Sequence, residues 1–372
     1  MTNPIPPFRA EHIGSLIRPD ALIEARDAFL TGQSDAATLK SAEDAAIRQV
    51  VAMQEEIGLQ VVTDGEYRRD TYSDSFTSAA LDGVEIQFTE DDGWKASSQH
   101  GARTAMRIPR VTGPVKWKGS RNAEDFRFLA SVASVTPKIT LPGPGYIHYR
   151  AGRKNINAEI YPDIDNFWTD LVHAYHQELQ SLAAVGCRYV QIDETSLVKL
   201  GDPRARKLLE ERGDDWRDLL PMYIEAINAV VAGAPGGMQV GVHICRSQDP
   251  NWQANIGYDP IAEPLFNDLK VGFYFLEYDN ERAGSFEPLK FVPRDKKIVL
   301  GIVATKRPEL ETADYIKRRI EEATQYIDLD QLSLSPQCGF STSAGQPDAV
   351  SIDLQKAKLA QITAVAKEIW GD

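Results

Sequence analysis

The sequence predicts an α/β protein built as a (β/α)8 TIM barrel, and three observations lead to that prediction. Short apolar runs that end in polar or reactive residues alternate with amphipathic helical patterns, which is the order of β–α units in a parallel sheet. Eight such runs can be counted, and eight strands close a barrel. No linker, low-complexity tract or repeat divides the 372 residues, so one catalytic domain over residues 1–372 is expected.

The predicted elements follow one another along the whole chain. The eight strands are expected at residues 10–15, 59–66, 138–142, 187–194, 238–245, 271–277, 297–305 and 331–338. The clearest helical patterns lie at residues 36–57, 164–185, 216–231, 309–326 and 351–370. The gap at about residues 84–136 is too long for a β–α connection, and its glycines and prolines among alternating residues predict an insertion with a β-hairpin between the second and third strands. A second small domain is the alternative.

Composition excludes several classes of protein. With 42% hydrophobic and 26% charged residues, the chain has the composition of a soluble globular protein. A formal charge of −13 argues against nucleic-acid binding, which depends on Lys and Arg. No run approaches the roughly 20 apolar residues of a membrane span, and the charged N-terminal segment is unlike a signal peptide. We expect a cytoplasmic protein whose partners are small molecules, and the formation of a homo-oligomer stays open.

The strongest local signal is the pair His243 and Cys245 at the end of a predicted strand. Their spacing of two turns both side chains to the same face, which in a barrel is the interior near the C-terminal mouth. Imidazole and thiolate together suit zinc. Taken alone, the pair is weak evidence for a metal, and a packed histidine beside a buried free cysteine accounts for it better.

Two further predicted strands end in groups that can join this pair, namely Glu277 and Cys338. Glu277 could instead form an ion pair with Arg246 or Arg282, and Cys338 could be a small buried residue. Convergence on one ion accounts for all the strand ends together. Cys187 opens a strand and is therefore expected at the opposite, structural end of the barrel; three cysteines without a secretion signal do not indicate a disulfide framework.

These motifs resemble the cobalamin-independent methionine synthases, and most closely their short, single-barrel members. The matching segments are His12-Ile13-Gly14-Ser15, Thr63-Asp64-Gly65-Glu66, Gln191-Ile192-Asp193-Glu194, His243-Ile244-Cys245, Leu276-Glu277 and Gln337-Cys338-Gly339. The resemblance implies a barrel of the methionine synthase and uroporphyrinogen decarboxylase superfamily that binds Zn2+ through His243, Cys245, Glu277 and Cys338. It also implies that Ser15, Glu66 and Asp193 bind the amino acid part of homocysteine, and Asp193 is counted among the catalytic residues as well.

The chemistry of a zinc-bound thiol agrees with this resemblance. A free thiol with a pKa near 8.5 is mostly protonated at neutral pH, whereas a thiol coordinated to zinc is deprotonated. Glu277, as the weaker ligand, could give way to the incoming sulfur. The carboxylates of Glu66 and Asp193 would suit a substrate ammonium group. Asp193 and Glu194 could alternatively cap the following helix.

The sequence departs from the family at the donor side. Full-length methionine synthases have two barrels, of which only the catalytic one is matched here. Where the family has His-Ser-Pro after the seventh strand, this chain has Thr305-Lys306-Arg307-Pro308, and Lys306 could supply a proton or bind an anionic donor. His148, Tyr149, Arg150 and Arg246 are candidates for holding a phosphate, sulfonate or carboxylate, or are ordinary polar loop residues.

The leading hypothesis is a zinc-dependent methyltransferase that makes methionine from homocysteine, with a methyltetrahydrofolate or a corrinoid protein as donor. The alternative is a catabolic thiol alkyltransferase, similar to enzymes that open epoxides with coenzyme M or demethylate ethers. A metal-free decarboxylase or a non-catalytic zinc barrel belongs to a different class. Absence of stoichiometric zinc would exclude both transferases, and a carboxylate such as Glu277 among the ligands favours an exchangeable, catalytic zinc over a structural one.

Overall fold

The computed structural model describes residues 6–89, 106–246, 256–341, 344 and 348–371. Its strands are β1 (Val61–Val62), β2 (Leu81–Thr89), β3 (Met106–Trp117), β4 (Thr136–Pro137), β5 (Ile139–Pro142), β6 (Tyr189–Glu194), β7 (Gln239–Ile244), β8 (Phe273–Glu277), β9 (Lys297–Val303) and β10 (Leu332–Pro336). Its α-helices are α1 (Asp20–Leu30), α2 (Ala36–Glu56), α3 (Asn122–Val132), α4 (Gly145–Ala151), α5 (Ile164–Ala184), α6 (Pro203–Arg212), α7 (Trp216–Ala232), α8 (Ala262–Asn267), α9 (Ala313–Ala323) and α10 (Ile352–Trp370). None of the helices in these described ranges is long and apolar enough to cross a membrane.

The parallel strands form a closed barrel. Strands β5 to β10 pair in chain order, and β1 pairs in parallel with β4, which leads into β5. The extended segment that starts at Ala10 supplies the first barrel position. It forms a parallel bridge with Leu334 of β10 on one side, and on the other side Leu16 N donates to Gly65 O at 3.1 Å. Eight segments therefore close the predicted (β/α)8 barrel.

The predicted hairpin insertion is formed by β2 and β3, which pair antiparallel between the second and third barrel positions. Its register shifts next to Gly83, whose φ of +75° and close approach to Pro114 O, 2.4 Å from where a Cβ would be, require glycine. The hairpin begins at Leu81, three residues before the predicted insertion, and residues 90–105 lie outside the described part. Helix α3 completes the connection and was not predicted.

Helix boundaries differ from the sequence pattern in one instructive place. The pattern predicts a helix from residue 309, but α9 begins at Ala313, after Thr312 accepts a capping hydrogen bond from Tyr315 N at 3.2 Å. The preceding Glu311 is used by the barrel instead, because its carboxylate accepts from Ala304 N and from Lys358 Nζ, each at 2.9 Å. A long-range contact therefore outweighs local helical propensity there.

Period-two alternation decides what faces the barrel interior. Tyr189, Phe273, Phe275 and Val299 share a buried interior cluster. Since successive side chains in a strand alternate between faces, the residues two positions further along β6 and β8 also face inwards. The strand ends therefore bring polar groups, among them Glu277, to the C-terminal mouth above an apolar layer.

Candidate metal centre

Four potential metal ligands meet at the C-terminal ends of three barrel strands. His243 lies in β7 and Cys245 directly after it, Glu277 ends β8, and Cys338 follows β10. One ligand atom from each residue lies within 4.8 Å of the other three, and all four residues are buried. The structure thus brings together all four residues that the resemblance indicates as a zinc site.

Close packing around β9 allows this approach. Gly301 pairs with Glu277, and a Cβ at Gly301 would lie 2.8 Å from Leu276 O and 2.7 Å from Gln337 Cα. Those contacts are shorter than atoms tolerate, so only glycine lets β8 and the segment before Cys338 come together here. Cys245 is fixed from the other side, where its N donates to Glu194 O at 2.8 Å.

The donor set fits a tetrahedral zinc ion. The sulfur atoms of Cys245 and Cys338 are 3.7 Å apart. Two Zn–S bonds of about 2.3 Å at a tetrahedral angle place two sulfurs about 3.8 Å apart. Neither ring nitrogen of the buried His243 has a hydrogen-bond partner within the described ranges, as suits an imidazole poised to coordinate a metal.

Electrostatics within the cluster prepare it for a cation. The hydrogen bond between the two sulfurs lowers the pKa of Cys245 well below its ordinary value and raises the pKa of Cys338. Cys245 is then the thiolate, and Cys338 is the thiol that donates to it. Burial raises the pKa of Glu277 to about 7, although Lys306 acts in the opposite direction. Glu277 Oε1 accepts a hydrogen bond from Arg246 N at 2.8 Å, so the suspected ion pair with the Arg246 side chain is replaced by a backbone contact.

The three residues predicted to bind an amino acid lie next to this cluster. Ser15 packs against the residue after Cys338, because a Cβ at Gly339 would be only 1.9 Å from Ser15 Oγ. Glu66 is buried with a left-handed φ of +61°, a conformation rare outside glycine and frequent at functional sites, and its Oε1 accepts from Thr140 Oγ1 at 2.6 Å. Asp193 pairs in register with His243 across β6 and β7.

The carboxylates of Asp193 and Glu66 are close enough for their charges to interact. Burial raises the pKa of Asp193 to about 7, and the negative charge of Glu66 adds to that shift while His243 opposes it. The contact with the backbone that leads into the following 3-10 helix (Leu197–Gly201) is made by Glu194, whose Oε1 accepts from Ser196 N at 2.5 Å. Asp193 instead accepts from Gln191 Nε2 at 2.7 Å, within the barrel.

The predicted anion-binding residues lie in different environments. His148 is buried in α4, its Nδ1 lies 2.9 Å from the Tyr223 hydroxyl, and burial lowers its pKa to about 4, so it offers no positive charge at pH 7. The guanidinium of Arg246 donates to the carbonyl oxygens of Ile256 and Arg282, each at 2.5 Å. Arg246 therefore anchors two loops around the mouth.

Two further cations, Arg150 and Lys199, lie close enough to interact near the ligand cluster. The guanidinium carbon of Arg150 lies 5.9 Å from the ring centre of Tyr146, and Lys199 Nζ lies 5.8 Å from that of Tyr149. Burial, followed by the charge of Arg150, lowers the pKa of Lys199 to about 8. Lys199 was missed by sequence reasoning, although its position five residues after β6 was a signal for a loop residue at the mouth.

Lys306, which follows β9, adds a third cation close to the ligands. Burial lowers its pKa, but the negative charges of Glu277, Cys338 and Cys245 outweigh burial and raise it. Lys306 is therefore an ammonium ion at neutral pH. Cys187 precedes β6 at the opposite end of the barrel, where it is buried and its Sγ donates to Tyr189 O at 3.5 Å.

A (β/α)8 barrel with a buried His-Cys-Glu-Cys group at its C-terminal mouth belongs to the class of barrels that carry a candidate metal centre there. Comparison with known proteins makes this more specific. Residues 8–363 match the family described as "Cobalamin-independent synthase, Catalytic domain". The chain therefore belongs to the cobalamin-independent methionine synthase family, as a short form that corresponds to its catalytic domain, and this is a family of methyltransferases.

Individual relatives cover nearly the whole chain. YxjH of Bacillus subtilis, which is uncharacterized, is 38% identical over 98% of this chain and 95% of its own length. The methionine synthase of Pyrococcus abyssi is 26% identical over 88% of this chain and 85% of its own. A solved structure from Listeria monocytogenes, provisionally assigned as a vitamin-B12-independent methionine synthase, is 33% identical with a TM-score of 0.77 over 100% of both chains.

Proposed function

We propose that this protein is a zinc-dependent S-methyltransferase that methylates homocysteine to methionine. The observation that carries the proposal is the buried group of His243, Cys245, Glu277 and Cys338, which fits zinc in chemistry and in sulfur spacing. Bound zinc would supply the positive charge that deprotonates a substrate thiol at neutral pH. Family membership supports methyl transfer as the reaction.

The chain's own residues would bind and orient the acceptor. Asp193 and Glu66 provide two buried carboxylates for the substrate ammonium group, and Ser15 provides a hydroxyl beside Cys338. Glu277, the only carboxylate of the four, is the ligand best suited to give way to the incoming thiol sulfur. The buried position of all these groups excludes water from the reacting sulfur.

On the donor side, the three cations favour an anionic methyl donor. Lys306 stays charged because nearby anions raise its pKa, which favours an anion-binding role over proton donation. Arg150 and Lys199 extend the positive side of the mouth. A folate carries carboxylates that such groups can bind. Membership of this enzyme family supports small-molecule partners and a cytoplasmic location, which are part of the proposal, and a corrinoid protein stays an alternative donor.

The direct test supplies zinc-loaded protein with homocysteine and one methyl donor at a time. The donors are methyltetrahydrofolate with one and with three glutamates, and methylcobalamin. We expect methionine with at least one of them, and the variant His243→Ala should abolish it. Absence of methionine above background with every donor would refute homocysteine methylation.

A second candidate is a thiol alkyltransferase that uses a sulfonated thiol. The observation that favours it is the same set of cations, Arg150, Lys199 and Lys306, because a sulfonate tail would meet positive charge there. This candidate predicts consumption of coenzyme M in the presence of an epoxide, with no methionine formed from homocysteine. Protein that contains no stoichiometric zinc after purification in metal-replete medium would contradict both transferases and favour the decarboxylase class.

A further inference from the structure

A series of buried polar contacts lies beneath Asp193 inside the barrel. Lys138, between β4 and β5, donates from Nζ to Gln191 Oε1 at 3.0 Å. Gln191, in β6, donates from Nε2 to Asp193 Oδ1 and to Ile13 O, each at 2.7 Å. Lys138 and Gln191 are both fully buried. These contacts join the first, third and fourth barrel segments below the proposed amino-acid subsite.

The lysine determines which way the glutamine amide points. An ammonium group can only donate hydrogen bonds, so the amide oxygen of Gln191 must face Lys138 and its nitrogen must face Asp193. In the reversed orientation, the amide NH2 would face the ammonium and the amide oxygen would face the carboxylate, and both contacts would be repulsive. The Asp193 carboxylate therefore always accepts from the amide nitrogen of Gln191.

The lysine also holds the segment that carries Ser15. Lys138 Nζ donates to His12 O, and Gln191 Nε2 donates to Ile13 O, so two consecutive carbonyls of this segment are held from inside the barrel. Ser15 lies two residues further along. Lys138 and Gln191 thus hold both the backbone of the Ser15 segment and the carboxylate of Asp193.

The charge of Lys138 is balanced by Glu11, which argues against a purely stabilising role. Glu11 Oε2 lies 3.4 Å from Lys138 Nζ, and Glu11 Oε1 accepts from the Tyr189 hydroxyl at 2.7 Å. Buried ion pairs are on average no more stabilising than apolar residues of similar volume. A buried lysine in the interior therefore points to a use for its fixed charge and its directed hydrogen bonds.

We propose that Lys138 and Gln191 are a positioning pair for the ammonium-binding end of the amino-acid subsite, and that they hold the Asp193 carboxylate and the Ser15 segment in register. The inference rests on the proposed function, in which Asp193 and Ser15 bind the amino acid part of the acceptor. Neither residue touches the reacting atoms in this role, so the expected defect lies in recognition of the ammonium group.

The test compares two thiols that differ only in that group. Homocysteine and 4-mercaptobutanoate have the same thiol and carboxylate, and the second lacks the amino group. Calorimetric titration of zinc-loaded protein gives the ratio of their dissociation constants. We expect the wild type to prefer homocysteine, and Gln191→Met to reduce that preference about tenfold, equivalent to about 1.4 kcal/mol, with zinc content and the affinity for 4-mercaptobutanoate unchanged.

Two further variants and one control complete the experiment. Gln191→Glu keeps an acceptor for Lys138 but loses the donor to Asp193, so the preference should fall even if the methionine variant does not fold. Lys138→Met combined with Glu11→Gln removes the ion pair without leaving a buried charge, and should also reduce the preference. Gln331→Met is the matched control, because Gln331 Nε2 likewise donates to two carbonyls, at 2.8 and 2.9 Å, but far from the mouth.

The outcomes separate the two proposals. A wild type that binds both thiols equally contradicts the proposed function itself. A wild type that prefers homocysteine, together with Gln191→Glu and double variants that keep the full preference, overturns the positioning pair and leaves the proposed function standing. A loss as large in Gln331→Met as in the Gln191 variants would also overturn the inference, because it would reflect general loss of packing.

Discussion

Single residues of the same type have opposite surroundings in this barrel. The sulfur of Cys245 lies 3.7 Å from that of Cys338 and close to His243. Within the described residues, the sulfur of Cys187 hydrogen-bonds only to the backbone oxygen of Tyr189. Burial raises the pKa of Cys187 to about 12, which makes it inert, while the pKa of Cys245 is lowered. The difference comes from the strand end at which each cysteine lies.

The first prediction concerns these two cysteines. Cys245→Ser removes one of two thiolate ligands, and we expect zinc to fall from about one ion per chain to less than about a tenth of that, since soft thiolates dominate zinc affinity. Cys187→Ser should keep its zinc. Metal analysis after exhaustive dialysis measures both. Equal zinc content in the two variants would show that Cys245 is not a ligand.

The second prediction concerns the pH dependence of the metal-free protein. The folded-state pKa of Asp193, about 7, lies above its ordinary value of 3.8, chiefly because of burial. The unfolded chain therefore loses this proton first as pH rises, and stability decreases between about pH 4 and pH 7. Asp193→Asn removes that decrease. It should therefore raise the free energy of unfolding by about 1 kcal/mol or more at pH 8, because one pKa unit corresponds to about 1.36 kcal/mol. At pH 4 the substitution should change the free energy of unfolding little.

Denaturant unfolding in the presence of a chelator, at both pH values, measures this effect. Asp259→Asn is a suitable control, because Asp259 is an exposed carboxylate in a turn. Stabilisation of Asp193→Asn by the same amount at pH 4 and pH 8 would contradict the assignment of the raised pKa to this residue.

At the level of elements, one buried carboxylate contributes several of the contacts that attach the insertion to the barrel. Glu178 of α5 accepts hydrogen bonds from Trp117 Nε1 at 2.6 Å, Ser120 Oγ at 2.6 Å and Asn122 Nδ2 at 2.8 Å. These donors lie at the end of β3 and at the start of α3. The carboxylate therefore fixes both the hairpin and the following helix onto α5.

The third prediction follows from that attachment. Glu178→Ala leaves three donors without their acceptor, and we expect a loss of about 2–4 kcal/mol in the free energy of unfolding. Each unsatisfied buried donor costs about 1–3 kcal/mol, and water that enters the space left by the side chain lowers the total. Glu225→Ala, at an exposed position on α7, should change stability by less than about 0.5 kcal/mol. Chemical denaturation compares the two, and similar losses would contradict an anchoring role for Glu178.

At the level of the whole molecule, closure of the barrel depends on the segment around Glu11. Its backbone N donates to Leu334 O at 2.9 Å, and its side chain contacts Lys138 and the Tyr189 hydroxyl. One residue of the first barrel segment thus touches the third, fourth and eighth segments. Side-chain contacts inside the barrel therefore stabilise its closure, in addition to the hydrogen bonds between its strands.

The fourth prediction tests this closure. Glu11→Ala leaves Lys138 as an uncompensated buried charge, and we expect a loss of about 3–5 kcal/mol in the free energy of unfolding. The control is Glu56→Ala, which removes an exposed pair with Lys356 of 2.7 Å between α2 and α10 and should cost less than about 1 kcal/mol. Urea unfolding measures both, and a small loss for Glu11→Ala would show that closure does not depend on this pair.

Much of this molecule could be predicted from its sequence because the relevant physics is local. Alternation along strands placed His243 and Cys245 on one face, and the count of β–α units predicted the barrel. The long gap with its glycines and prolines predicted the hairpin insertion. Glu277 and Cys338 joined that pair through family resemblance, since no local rule states which strands become neighbours. Their convergence was a property of the closed ring.

Tertiary structure alone decided the rest. Residues 309–312 fit a helical pattern, yet they form a loop because Glu311 contacts Ala304 N and Lys358. The interior pairing of Lys138 with Gln191 links residues 53 positions apart, and no periodicity reports such a contact. Sequence determines what each strand end can offer, whereas the closed sheet determines which ends meet, because pairing register and barrel closure are long-range effects that local patterns do not contain.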